Sequence, residues 1–237
     1  MEKCCPMYNA FIAYDGGGKA ESRVRGKLAI VTGSARSIEA GIVRKLASKG
    51  CNNIISYATT SSDDAAATLK AELESKHCIK VITVRADIST SAGCEQIIAA
   101  AKENFKNSNT GAQQIDILVH NAAVLYIGPP ESVIEKEFHH IYAVNVLGPT
   151  LLTAACKPFL PTDRSGRIVM MSSINSKIGT LHTTLELTER ATGNAVNCGR
   201  AAYDHEIAGI IAIICDPDSS WMTGRLISAN YGLFFSM

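Results

Sequence analysis

Short apolar runs that alternate with helix-patterned segments constrain this chain more than any other feature. Residues 28–31 are apolar throughout, and Thr32-Gly33 leads from them to Ile38, Ile42 and Leu46, spaced four apart. That spacing stacks three side chains on one helix face, and Gly50 supplies the stop. The alternation then repeats. Residues 53–57, 80–85, 115–120 and 167–171 read as strands, while 63–76, 91–105 and 131–159 read as helices. Strands that are apolar on both faces need helices on both sides, which calls for a parallel sheet. Right-handed crossovers then give an α/β domain with a doubly wound sheet of Rossmann type. It spans 27–237 and follows an extension over 1–26 that shows no clear period. Beyond Ser173 the pattern thins. A sixth strand over 191–197, a helix over 205–215 and a last strand over 225–229 leave a single domain truncated in its C-terminal third.

Composition excludes several classes. With 46% hydrophobic and 19% charged residues the chain is ordinary globular material. No apolar run reaches the ~18–20 residues of a membrane helix, and residues 1–20 lack a secretory pattern, so a cytoplasmic location is expected. A net charge of +1 with scattered basic residues argues against nucleic acid and anionic membranes as partners. The eight cysteines show no CxxC spacing and His139-His140 are adjacent, so no metal site is expected.

In a doubly wound sheet a ligand lies beyond the carboxyl ends of the strands, where the strand order reverses. The turn there must let backbone approach phosphate, and the next helix offers it free N–H groups. Here that turn is Thr32-Gly33-Ser34-Ala35-Arg36-Ser37-Ile38-Glu39. Gly33 is in place, and Ser37 and Glu39 stand where two further glycines normally follow.

At this turn the chain resembles the short-chain dehydrogenase/reductase family, whose first turn reads TGxxxGxG. Gly33, Ser34, Arg36 and Ile38 fall on its cofactor-binding positions. Asp87 matches the aspartate beside the adenine, and His120-Asn121-Ala122-Ala123 matches the NNAG turn with Asn121 kept. Asn145 matches the helix asparagine of the catalytic tetrad. Residues 166–173 match the strand that ends in the catalytic serine, here Ser173. Residues 220–225 look like the W-x-T-G-Q stretch. The resemblance implies NADP(H)-dependent reduction of a small-molecule ketone or aldehyde, as in ketone reductases of fungal secondary metabolism.

Charge also bears on the cofactor. The end of the second strand, 56–60, offers hydroxyls and no acid to a ribose, and Arg36 is placed to meet a 2′-phosphate, so NADP(H) is favoured over NAD. Glu39 opposes binding. A carboxylate ~5 Å from a diphosphate charge costs about 3 kcal/mol at an effective dielectric of ~20. Rotation out of the turn relieves that repulsion, and an acid suits a helix's first turn.

Carbonyl reduction needs a hydride on carbon and a proton on oxygen. The resemblance implies a tyrosine as donor, its pKa lowered by a lysine one turn on. No tyrosine occurs between Tyr142 and Tyr203, and no YxxxK occurs in the chain. Without a gap after Ser173, Glu186 and Arg190 take those positions. With gaps, 186–192 resembles the end of the active-site helix and 194–197 the end of the sixth strand, and the family pattern resumes at Gly199-Arg200 and 205–209. Either way Asn145 and Ser173 are what survives. His182, with a reference pKa near 6.5, is the substitute donor to weigh against a loop histidine, and Tyr142, one turn before Asn145, is expected in the core or else facing the cleft. Three readings stand: a reductase, a cofactor-binding scaffold or regulator without turnover, and a product of a wrongly spliced reductase gene. The resemblance also implies a homo-oligomer built on the active-site helix and 131–159. Its loss weakens that assembly and exposes an apolar stripe.

Overall fold

Five parallel strands in the order β3-β2-β1-β4-β5 carry the chain. The computed structural model describes residues 23–35, 37–106, 113–126, 130–132, 134–173, 200 and 202–229. The strands are β1 (Leu28–Thr32), β2 (Asn52–Tyr57), β3 (Val81–Arg85), β4 (Ile117–His120) and β5 (Arg167–Met170). The helices are α1 (Ser37–Ser48), α2 (Asp63–His77), α3 (Ser91–Asn104), α4 (Glu135–Tyr142), α5 (Gly148–Cys156) and α6 (Asp204–Ile214). Alternate strand residues feed two cores. Val31, Ile55 and Val119 pack with Ile42, Leu46, Leu69, Leu73 and Ile211 of α1, α2 and α6. Ile30, Ile54 and Leu118 pack with Ile97, Ile98 and Leu152 of α3 and α5. The doubly wound Rossmann-type fold expected from the pattern is what forms, because each apolar strand meets a helix stripe on both faces.

Four expectations need correction or limits. Residues 131–159 are not one helix: α4 runs into a π-turn at Ala143–Leu147 before α5 begins, and a 3-10 turn at Lys157–Phe159 closes the region. Pro149 has no N–H to give the carbonyl of Asn145, so regular α-helical bonding fails there. Val24, placed in the extension, is fully buried in the first core, so packing begins upstream of Lys27. Residues 225–229 form no strand, and Leu226 and Ile227 are exposed. Apolar sequence alone does not make a strand, which needs a neighbour for its N–H and C=O groups. The sixth strand over 191–197 falls outside the described residues.

β5 differs from its neighbours. Arg167 and Val169 are buried, but Ile168 and Met170 on the opposite face are exposed. Beside them lies an open hollow of about 400 Å³, lined by Thr150, Ala154 and Lys157 as well as Met170. Among the described residues no helix is long and apolar enough to cross a membrane.

Candidate active site

The strand order reverses between β1 and β4, and the turns that follow these two strands are knotted together. Thr32 is buried, and its Oγ1 accepts from the backbone N–H groups of Asn121 at 3.0 Å and Ala122 at 3.1 Å. Gly33 follows with φ +74°, and a Cβ on it would sit 3.0 Å from Cα of Ala122. Both facts favour glycine: the φ lies where side chains are strained, and a Cβ would press Ala122 back by a few tenths of an ångström. Ser34 fixes the turn's other flank, its N–H donating to the carbonyl of Ser56 on β2 at 2.9 Å. α1 then opens at Ser37, and the first amides of a helix have no acceptor within it. Ile38 is partly exposed in that first turn. Arg36 lies outside the described residues.

Glu39 has not turned away from this crevice. Its Oε1 accepts from Nδ2 of Asn121 at 2.7 Å, and both residues are half-buried. Asn121 therefore makes two bonds across the crevice, one through its backbone to Thr32 and one through its side chain to Glu39.

The outer strand ends carry the remaining candidates. Asp87, after β3, is exposed, and its Oδ1 accepts from the N–H of Ser89 at 2.9 Å. Its carbonyl lies directly over Gly93, where a Cβ would fall 1.9 Å from the oxygen, and Thr90 caps the same helix start by accepting from Gly93 N–H at 3.1 Å. The end of β2 has an acid nearby after all. Asp63 opens α2 and pairs with Arg85 at 3.0 Å, and Arg85 is the register partner of Tyr57. Burial and the Asp63 carboxylate raise the Tyr57 pKa.

On the other side, Asn145 sits in the π-turn, half-buried, with both ends of its amide used on one residue. Oδ1 accepts from Val124 N–H at 2.9 Å and Nδ2 donates to Val124 carbonyl at 2.8 Å. It clamps the loop that carries Asn121. Ser173 follows β5 and is exposed, and Met171 N–H donates to the His120 carbonyl at 2.8 Å, which brings that segment alongside the end of β4. His120 itself is 3% exposed, shares a 2.8 Å bond between Nε2 and Oγ1 of Thr153, and has no partner at Nδ1. Burial pushes its pKa down to about 4, so it is neutral at pH 7. Tyr142 is not in the core: it is 53% exposed and stacks on Phe138 at 4.5 Å between centroids. His182, Glu186 and Arg190 lie outside the described residues.

The structure thus brings Gly33, Ser34, Asn121 and Asn145 around one crevice and leaves Asp87 and Ser173 at the ends of strands on either side. Sequence reasoning missed Thr32 as the knot, Asn121 as the partner of Glu39, and Gly93 as the seat of the Asp87 carbonyl. Thr32 was visible as the residue that closes an apolar run and opens the TGxxxGxG turn, but its two bonds to the loop after β4 were not.

A bound dinucleotide is a demanding occupant for this crevice. The approach at Gly33 and the open Asp87 suit its backbone contact and adenosine half. The bridge from Glu39 to Asn121 does not suit its diphosphate. Residues 27–185 match the family model described as short chain dehydrogenase. The chain belongs to the short-chain dehydrogenase family. That match covers Gly33, Ser34, Arg36, Ile38, Asp87, Asn121, Asn145 and Ser173. L-xylo-3-hexulose reductase from Hypocrea jecorina (strain QM6a) is 33% identical, with 90% of this chain and 98% of the relative aligned. That alignment runs over 297 positions, more than the 237 residues of the chain, so part of the relative has no counterpart here. Elsinochrome reductase 1 of Elsinoe fawcettii is 31% identical over 75% of this chain and 62% of its own. Among solved short-chain dehydrogenase-like structures, the angucycline C-6 ketoreductase LanV with bound NADP superimposes at TM-score 0.79. It is 25% identical over 90% of this chain and 97% of that one.

Proposed function

We propose that this short-chain dehydrogenase is an NADP(H)-dependent reductase of a small-molecule ketone or aldehyde, located in the cytoplasm and serving secondary metabolism. The carrying observation is the Thr32–Gly33–Asn121 knot at the strand reversal, which builds the close backbone approach a dinucleotide needs. NADP over NAD is supported by the NADP in LanV and by the pairing of Asp63, the acid near the end of β2, with Arg85. Similarity to elsinochrome reductase 1 supports the metabolic setting, and similarity to L-xylo-3-hexulose reductase supports a ketone substrate. Bound NADPH supplies hydride. Ser173 holds the carbonyl oxygen, Asn145 holds the loop beside it, and Asp87 faces the adenosine half. With no YxxxK and a neutral His120, protonation limits the rate. Self-association through Phe138, Tyr142 and Val146, exposed one turn apart, is part of the same proposal.

The test is ketone-dependent NADPH oxidation by the wild type and Ser173→Ala. Turnover that the substitution abolishes, with NADPH binding retained, supports the reductase. The missing YxxxK favours a second reading, a cofactor-binding scaffold without turnover. Binding with no serine-dependent oxidation selects that one.

A further inference from the structure

We infer that Glu39 sets the cofactor affinity of this crevice, its carboxylate standing across from Asn121 and holding a dinucleotide's diphosphate off. The inference rests on the nucleotide-binding reading above and deepens it. A turn of this type carries glycine at its third position because strand and helix pack closely there. Here the position carries a half-buried carboxylate that already has a hydrogen bond, 2.7 Å long, to the side chain of Asn121.

Both partners are anchored through their backbones, so only side-chain rotation can part them. Asn121 is tied through its own N–H to Thr32 Oγ1, and its neighbour Ala122 packs against Gly33. Glu39 is rooted on α1, whose Ala40, Ile42 and Val43 are buried beneath it. The carboxylate leaves only by rotating, which breaks the bond to Asn121 and strands that amide in a half-buried place. A diphosphate arriving at the same helix start meets a like charge whose interaction with it is only partly screened by water. The crevice therefore takes a ligand bearing only the adenosine 2′-phosphate portion without this penalty, and the whole dinucleotide with it.

Two substitutions separate charge from bond. Glu39→Gln keeps an oxygen for Asn121 and removes the charge, and Glu39→Gly removes both. NADPH is titrated into the wild type and both variants with its own fluorescence as the readout, and adenosine 2′-phosphate is titrated in parallel by calorimetry. The expected result is about tenfold tighter NADPH binding for Glu39→Gln and about a hundredfold for Glu39→Gly, each tenfold being about 1.4 kcal/mol. Adenosine 2′-phosphate affinity stays the same in all three. Equal NADPH affinity in wild type and Glu39→Gln overturns the role of Glu39 and leaves the nucleotide-binding reading standing. If neither ligand binds any of the three proteins, that reading falls and takes the inference with it.

Discussion

Leu118 on β4 and Ile168 on β5 are register partners on adjacent strands, yet Leu118 is fully buried and Ile168 is 46% exposed. Both belong to short apolar runs and both face the side of the sheet that α3 and α5 cover. What separates them is how far that cover reaches. Across β1, β2 and β4 it is complete, and at β5 it ends in an open hollow against Met170. An apolar run that finds a neighbour to pair with makes a strand, whereas its burial depends on a helix delivered by another part of the chain. Among the described residues, β1, β2 and β4 are packed by helices on both faces, while β5 leaves Ile168 and Met170 exposed.

The sharpest way to break that contrast uses glycines. Gly93→Ala puts a Cβ against the Asp87 carbonyl, at 1.9 Å, and a loss above about 4 kcal/mol is expected. Gly209→Ala, in α6, meets nothing within 4 Å and is expected to gain about 0.5–1 kcal/mol from helix propensity. Urea unfolding of the two variants reads both signs, and a neutral Gly93→Ala would mean the loop after β3 is loose. Next in size is the register pair. Leu118→Ala is expected to cost about 2–5 kcal/mol, and Ile168→Ala less than about 1 kcal/mol, because much of its area stays wet. Equal costs by denaturant midpoint would show that β5 is covered as well as β4.

A third test sharpens the comparison on the covered side. The unfolded chain protonates His120 near pH 6.5, while in the fold burial lowers its pKa to about 4. The unfolded state then binds more protons between those values, so stability is complete above about pH 6.5 and falls as pH drops toward 4. The loss is about 3 kcal/mol at 1.36 kcal/mol per pKa unit. His120→Asn removes that slope in urea melts over the same range; an unchanged slope would assign it to other groups.

Much of the sheet was legible because strands buried on both faces are mostly apolar, and β1 and β4 come nearest to that rule, whereas β2 buries Asn53 and Ser56 and β3 ends exposed at Arg85. The long helix over 131–159 misled although its break was readable: Pro149 stands in the middle of that range and has no N–H for the carbonyl of Asn145, and the apolar pattern was followed across it. The strand expected over 225–229 failed because pairing is a property of neighbours. For the site, Gly33 and Asn121 were recognisable from motif, and the repulsion from Glu39 followed from its charge. Its direction was not readable, since the hydrogen bond to Asn121 spans 82 positions of sequence.

Turnover decides the central claim, that the proposed nucleotide crevice serves a chain whose sequence carries no YxxxK to protonate a reduced carbonyl. A positioned general acid contributes roughly a hundredfold to ten-thousandfold, and an ordinary enzyme turns over about 10 times per second. Ketone-dependent NADPH oxidation by the 237-residue chain at saturating cofactor is therefore expected at about 0.001–0.1 per second, and lower still in Ser173→Ala. Turnover near 10 per second that depends on Ser173 would contradict it.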